Sequence, residues 1–262
     1  MNQFDKLSAE AIQTALDGRI PLPEIHALVD STNQRAKVLA REGAPAFTAV
    51  IADNQTKGHG RYGRHFHSAS GGGLYMTLIL RPTLDSALLP QLTHYAALAA
   101  AEALESLVPS LHIEIKWVND LYIGRKKIAG ILNEAGFSHA ASPDYMICGI
   151  GINVADVFFP MELQEIATSL AAETHIEQDA LLLVAPLLSS LEQLYPTLNN
   201  GDFLQESKRR SVLLGKEIIV HSQGMDFPAI AKDIDALGRL VIDCGGTTST
   251  LCSGEVSVHF PS

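Results

Sequence analysis

Residues 57–67 read KGHGRYGRHFH, a stretch that holds Lys57, Arg61, Arg64, His59, His65 and His67 and no acidic side chain. Glycines at 58, 60 and 63 let backbone amides come close to a phosphate, and the arginines add forked donors. A local anion site follows from these residue types. The stretch also matches G-x-G-x-x-G, the pattern of a dinucleotide-binding loop. Such a loop opens directly into a helix, whereas RHFHSASGGG, residues 64–73, is poor in helix formers. The doubly wound nucleotide fold is therefore set aside, and the chain on either side has to supply another one.

Outward from this loop, strands and helices mix. Phe47–Ala52 and Leu74–Leu80 read as strands on either side of a polar loop over 54–73. Upstream, Ser8–Leu16 reads as a short helix with Ser8 as N-cap. A strand from Ile25 (HALVD) then runs into Ser31-Thr32-Asn33, and a helix spans Gln34–Arg41. Downstream come a helix over Leu89–Leu107, a strand Ile113–Trp117, a turn at Asn119-Asp120, and a hairpin through Gly124 into Ile128–Glu134. A strand Tyr145–Val154 and helices Gln164–Leu170 and Asp179–Leu194 follow, with Pro186 placed to kink the last. After Gly215 the character changes to short β-runs, GKEIIVHS, DFPAIAKDID, GRLVIDC and GEVSVHF. The expected fold is α+β: a mixed sheet with flanking helices over 1–212, then a small β-module over 213–262.

Composition narrows the function. With 47% apolar and 18% charged residues, the 262-residue chain suits a packed globular fold. A net charge of -10 argues against broad nucleic-acid binding. No run of the roughly 20 apolar residues of a membrane span stands out, because Glu102 and Glu105 interrupt Tyr95–Leu104. The N-terminus MNQFDKLSAE has neither basic leader nor apolar core, so a cytoplasmic location is expected. Cys148, Cys244 and Cys252 are widely spaced, which argues against a disulfide framework, and Cys148 in MICGIGINV reads as a buried thiol. His65-x-His67 reads as a metal pair only weakly, since no third ligand has diagnostic spacing.

Two further motifs carry charge near turns. KWVND at 116–120 places Asp120 to hold Mg²⁺ or a ribose, and KIAGIL at 127–132 places Lys127 beside Gly130 to neutralise a carboxylate or phosphate. Taken singly, each also reads as a solvated hairpin turn. Together with Ser31-Thr32-Asn33, the basic glycine loop and Gly149-Ile150-Gly151-Ile152-Asn153, they stand in the order and spacing of biotin–protein ligases, which the chain resembles over nearly its whole length. GKEIIVHS, DIDALGRL at 233–240 and SGEVS at 253–257 resemble that family's SH3-like C-terminal module.

The resemblance implies an enzyme that activates biotin with ATP to biotinyl-5′-AMP and passes the biotinyl group to a lysine of a biotin carboxyl carrier protein. It places biotin contacts at Ser31, Thr32, Asn33, Gln55, Gly58, His59, Gly60, Arg61, Lys127 and Gly130. It places nucleotide contacts at Arg61, Arg64, Phe66, Lys116, Asn119 and Asn153, with Tyr62 and Gly63 in the loop that orders over the adenylate. Lys127 and Arg61 would serve activation. Asp120 is either a base for transfer or a group for Mg²⁺ or ribose, and ATP and Mg²⁺ act without a tightly bound cofactor. His59, Phe66 and Val118 stand where the family usually has Arg, Trp and Pro. A histidine gives the loop a pH-dependent charge that arginine does not. The family's larger members carry a DNA-binding domain, and none is expected here; a homodimer through a strand edge is left open. A lipoate–protein ligase and a non-catalytic biotin sensor are the rival readings.

Overall fold

The computed structural model describes residues 8–64, 66–68, 71–137, 142–155, 159–175, 179–222, 224–252 and 254–258. His65 of the expected metal pair and Ser253 of the SGEVS motif lie outside them. A seven-stranded sheet contains β1 (Glu24–His26), β2 (Ala49–Ala52), β3 (Gly73–Leu80), β4 (Glu114–Lys116), β5 (Asp120–Ile123), β6 (Lys126–Gly136) and β7 (Tyr145–Asn153), in the order β1-β2-β3-β7-β6-β5-β4. Among these described strands, only β1 and β2 pair in parallel. The expected mixed sheet with flanking helices is present.

Alternation along β7 divides this sheet into two faces. Cys148, Ile150 and Ile152 point into the main core, where α3 (Gln91–Leu107) buries its alanine-rich surface together with α5 (Val184–Leu194). Tyr145 and Ile147 point the other way and pack with Ala36 and Ala40 of α2 (Thr32–Arg41). Beyond Ile147 this second face carries Gly149 and Gly151, and the space they leave is where the cavities described below begin.

The last fifty residues form an antiparallel sheet of β8 (Glu217–Ser222), β9 (Met225–Ile234), β10 (Leu240–Cys244), β11 (Thr247–Leu251) and β12 (Glu255–Val258), ordered β11-β10-β9-β8-β12 and consistent with the SH3-like module expected there. Its core of Ile218, Val220, Ala231, Leu240 and Ile242 also takes in Trp117 and Val118, from the turn between β4 and β5. Its β9–β10 turn is fastened to α3: Gln91 Nε2 donates to the Ala236 carbonyl at 2.6 Å, and His94 bridges Ser207 and the Gly238 carbonyl at 2.9 Å each.

Several expected elements shift. The strand from Ile25 is limited to β1, and α2 begins at Thr32 rather than Gln34. The helix expected over Gln164–Leu170 is absent: Ile166–Thr168 instead pairs with β6, Lys127 N donating to Ile166 O and Thr168 N to Lys127 O, both at 2.9 Å. A short helix α4 (Leu170–Thr174) then starts from Ser169, whose hydroxyl accepts from Ala172 N. Asp179–Leu194 resolves into a 3₁₀ turn, Ala180–Leu183, followed by α5. Pro186 sits in the first turn of α5, where its missing N–H interrupts no helical bond, so the expected kink has no cause. With the following 3₁₀ turn, the helical run Ala180–Asn199 reaches a length and mean hydropathy (1.3) compatible with a membrane span, a property the sequence reading passed over. Leu183, Val184, Leu187, Leu188 and Leu191 spend that hydropathy on the main core.

Candidate active site

Gly149 and Gly151 are glycines for lack of room. A Cβ on Gly149 would lie 2.1 Å from Asn33 Oδ1, and one on Gly151 would lie 2.7 Å from Phe66 Cζ. On the next strand Gly130 stands opposite Gly151, with Phe66 and the Lys127 side chain above it. Three glycines on neighbouring strands thus make a floor, and Phe66 lies across it, edge-on to Tyr75 at 6.2 Å.

Against one side of this floor is a narrow cavity lined by Ser31, Thr32, Asn33, Gln55, His59 and the β7 glycines, among others. Ser31, Thr32 and Asn33 are buried, and a chain of hydrogen bonds holds Thr32 and Asn33 in place. Thr32 N donates to Gln55 Oε1 at 2.9 Å, and Thr77 Oγ1 lies 2.7 Å from both Thr32 Oγ1 and Asn33 Oδ1. Because the Asn33 oxygen only accepts, the Thr77 proton goes to it. Asn33 Nδ2 donates to Glu134 Oε2 at 2.9 Å, and Glu134 is in turn paired with Lys37 at 2.6 Å. These partners hold the Thr32 and Asn33 side chains at the start of α2.

On the other side is a cavity of about 180 Å³ with a cationic lining that includes Arg61, Arg64, Lys116 and Lys127. Lys127 Nζ is 2.7 Å from Asp120 Oδ1 and 5.9 Å from the Phe66 ring centroid. Asn119 is fixed to β6 through Ile131, its Nδ2 donating to the Ile131 carbonyl at 3.2 Å. Arg61 donates to Asn119 Oδ1 at 3.3 Å and to the Gly254 carbonyl at 3.2 Å. Arg64 makes a two-pronged pair with Glu255, at 2.7 and 2.6 Å, which raises the guanidinium pKa and holds the carboxyl below its usual range. Burial pushes the Lys116 ammonium down, against the pull of Asp120 and Glu255, and pushes the Tyr122 hydroxyl up to about 12.

The two cavities share His59, Phe66, Gly130 and Leu132. A neutral, hydrogen-bonding pocket therefore adjoins a cationic one across a single wall, an arrangement able to hold a polar acid and a phosphate with their reacting ends together.

Most of the sequence-predicted residues meet here. Three do not: Gly63 lines neither cavity, Gly58 is packed beneath the loop against Phe66 O and Ser68, and Asn153 gives its side-chain amide to the Thr168 carbonyl at 3.0 Å. Wider surface grooves, of about 450 Å³ on the C-terminal sheet and about 600 Å³ beside Phe137, contain none of them. Trp117, Leu132, Gly254, Glu255 and Val256 line the cationic cavity and were not expected. Leu132 stands two residues from Gly130, so strand alternation puts it on the same face and would have found it. Nothing local marks the Gly254–Val256 turn, which arrives from the far end of the chain. No group of three or more potential metal ligands occurs among the described residues. The Cys148 thiol is buried, which pushes it up to about 12.

Residues 25–153 match the Biotin/lipoate A/B protein ligase family. The bifunctional ligase/repressor BirA of Bacillus subtilis is 40% identical over 172 residues, which cover 65% of this chain and 52% of that protein, so the match spans about half that relative's length. The biotin–[acetyl-CoA-carboxylase] ligase of Mycobacterium tuberculosis is 31% identical over 90% of this chain and 88% of its own. Among solved structures, the biotin protein ligase from Aquifex aeolicus in complex with biotin and ATP superposes with a TM-score of 0.77 at 29% identity, covering 90% of this chain and 98% of that one. By motif order, fold and these matches, the chain belongs to the biotin/lipoate A/B protein ligase family.

Proposed function

We propose that this protein activates biotin with ATP to biotinyl-5′-AMP and transfers the biotinyl group to a specific lysine of a biotin carboxyl carrier protein. The observation that carries the reading is the pair of cavities sharing one wall, neutral on one side and cationic on the other. In this reading the uncharged head of biotin sits among Ser31, Thr32, Asn33 and Gln55. Its carboxylate reaches the wall at Gly130, and ATP lies along Arg61, Lys116 and Asn119.

A carboxylate is a poor acyl donor until phosphate becomes its leaving group. The carboxylate oxygen attacks the α-phosphorus, the bond to pyrophosphate breaks, and Lys127 and Arg61 offset the charge of two anions brought together. Lys127 meets this demand by exchanging Asp120 for the substrate. Arg64 must likewise leave Glu255 if it is to reach a phosphate. Mg²⁺ is part of the proposal as an ion that enters on the triphosphate, which requires only one or two protein carboxylates. Asp120 fits that role only when released from Lys127, and no step here depends on it.

The reading also divides the chain at 212/213 and includes a homodimer. β5 pairs with β6 only as far as Gly130, so among the described residues β6 carries no partner strand beyond Leu132 on the side away from β7, an edge suited to pairing with a second copy.

Pyrophosphate release on adding biotin and ATP, followed by the mass of a carrier domain incubated with the enzyme, tests the function. Pyrophosphate release with biotin and a biotinyl mass gain on one lysine are expected. Activity with lipoate instead of biotin, or release of no pyrophosphate with either acid, overturns the reading.

A further inference from the structure

Of the four residues common to both cavities, Phe66, Gly130 and Leu132 cannot titrate and His59 can. The charged groups of the cationic cavity are Arg61, Arg64, Lys116, Lys127, Asp120 and Glu255, and the acid cavity adds none beyond His59. Four of the six are cations with no acceptor capacity at neutral pH. Without substrate the two carboxylates are paired, Asp120 with Lys127 at 2.7 Å and Glu255 with both prongs of Arg64. Neither carboxylate lines the acid cavity. An adenylate held across the shared wall would thus have in His59 the one titratable side chain that lines both cavities, and that side chain is exposed to the solvent from which a nucleophile would come.

We propose that His59 is the proton acceptor in the transfer half-reaction. This rests on the adenylate-forming function proposed above and adds a catalytic role for a particular residue. The carrier lysine's neutral amine forms a C–N bond with the acyl carbon. The bond from that carbon to the phosphate oxygen breaks, and AMP leaves with the electron pair. The proton on the new C–N nitrogen passes to the neutral imidazole of His59, which returns it to water. An imidazole matches this task because its ordinary pKa lies near neutrality, whereas the arginines of the same loop remain charged.

The test isolates transfer from activation. Wild-type enzyme, His59→Gln and His59→Ala are loaded with synthetic biotinyl-5′-AMP, and single-turnover transfer to a carrier domain is followed by mass from pH 5.5 to 9. Rates are normalised to the adenylate each protein holds. The wild-type rate is expected to rise with pH and bend to a plateau, as general-base assistance requires. His59→Gln should transfer about 10²-fold more slowly without that bend, and added imidazole should restore part of the rate to His59→Ala but not to wild type. A His59→Gln enzyme that keeps the wild-type rate and bend overturns the proposal. So does a slow variant whose bend persists and which imidazole fails to rescue, since that pattern marks a loop-positioning role. Failure of wild-type enzyme to transfer from biotinyl-5′-AMP at all overturns instead the function on which the proposal rests.

Discussion

Lys127 Nζ lies 2.7 Å from Asp120 Oδ1, across the two paired strands that carry them, so the cation that would meet a substrate anion is already matched to a resident one. The pair keeps Lys127 extended over Gly130, and it sets a condition on activation, because the carboxylate of the acid must compete for the same ammonium.

Replacing Lys127 with Ala should therefore lower pyrophosphate release by about 10²- to 10³-fold, the cost of losing one electrostatic contact realised mainly at the transition state. Asp120→Asn should cost less, because it frees the lysine without removing it. Rapid-quench measurement of adenylate on both variants checks the order; equal losses would show that the pair acts as one unit.

The glycine–arginine loop is tied to the last strand through Arg64–Glu255 and Arg61–Gly254. Glu255 is held below the ordinary carboxylate range by Arg64, so its contribution is present at neutral pH and is lost as pH falls through and below about 4. The pair is exposed, and 0.5 M salt or Glu255→Gln should release the loop by only a few-fold, read as faster tryptic cleavage after Arg61 or Arg64. Arg61→Gly should have the larger effect: adenylate escapes roughly ten- to a hundredfold faster, acylating bystander lysines or hydrolysing. Unchanged escape would remove Arg61 from retention.

Gly149→Ala places a methyl group 2.1 Å from Asn33 Oδ1. Either Asn33 leaves Thr77 and Glu134 or β7 shifts, and biotin affinity should fall at least tenfold in a protein that still folds. Isothermal titration with biotin, alongside a thermal melt, separates lost binding from lost fold.

His94 is fully buried, and desolvation lowers its pKa to about 4 from an ordinary 6.5, against the opposing hydrogen bond to Gly238. Because the carbonyl of Gly238 only accepts, Nε2 carries the ring's proton and Nδ1 accepts from Ser207. The unfolded chain binds a proton that the folded one resists, so stability is complete above pH 6.5 and is lost as pH falls toward 4. The loss is about 2 kcal/mol at pH 5. A denaturant midpoint that drops from pH 7 to pH 5 in the wild type, and drops less in His94→Gln, is the expected result.

The sequence showed much of this, and where it failed the cause is physical. The basic glycine loop, KWVND and KIAGIL were legible because each joins charge to turn-forming residues within a few positions, and all three border one cavity. The strand expected over Tyr145–Val154 was equally plain. Ile166–Thr168 was misread because its helical pattern competes with an open position on β6 that appears only once Lys127 is in place. Thr77 and Glu134, which orient Asn33, and Glu255, which holds Arg64, act from strands far away in sequence, and no local pattern announces such partners.

Trp117 and Val118 are core residues of the small C-terminal sheet, while the next two residues, Asn119 and Asp120, line the cationic cavity. The foundation of the site is thus poured in a different part of the chain from its walls. A substitution such as Leu240→Ala, remote from any substrate, would unsettle the ground under Asn119 and Asp120, and a kinetic screen would score it as a chemical defect. Damage to the ornament at the end of the chain and damage to the reaction centre would look alike to an assay, and only a measurement of packing would tell them apart.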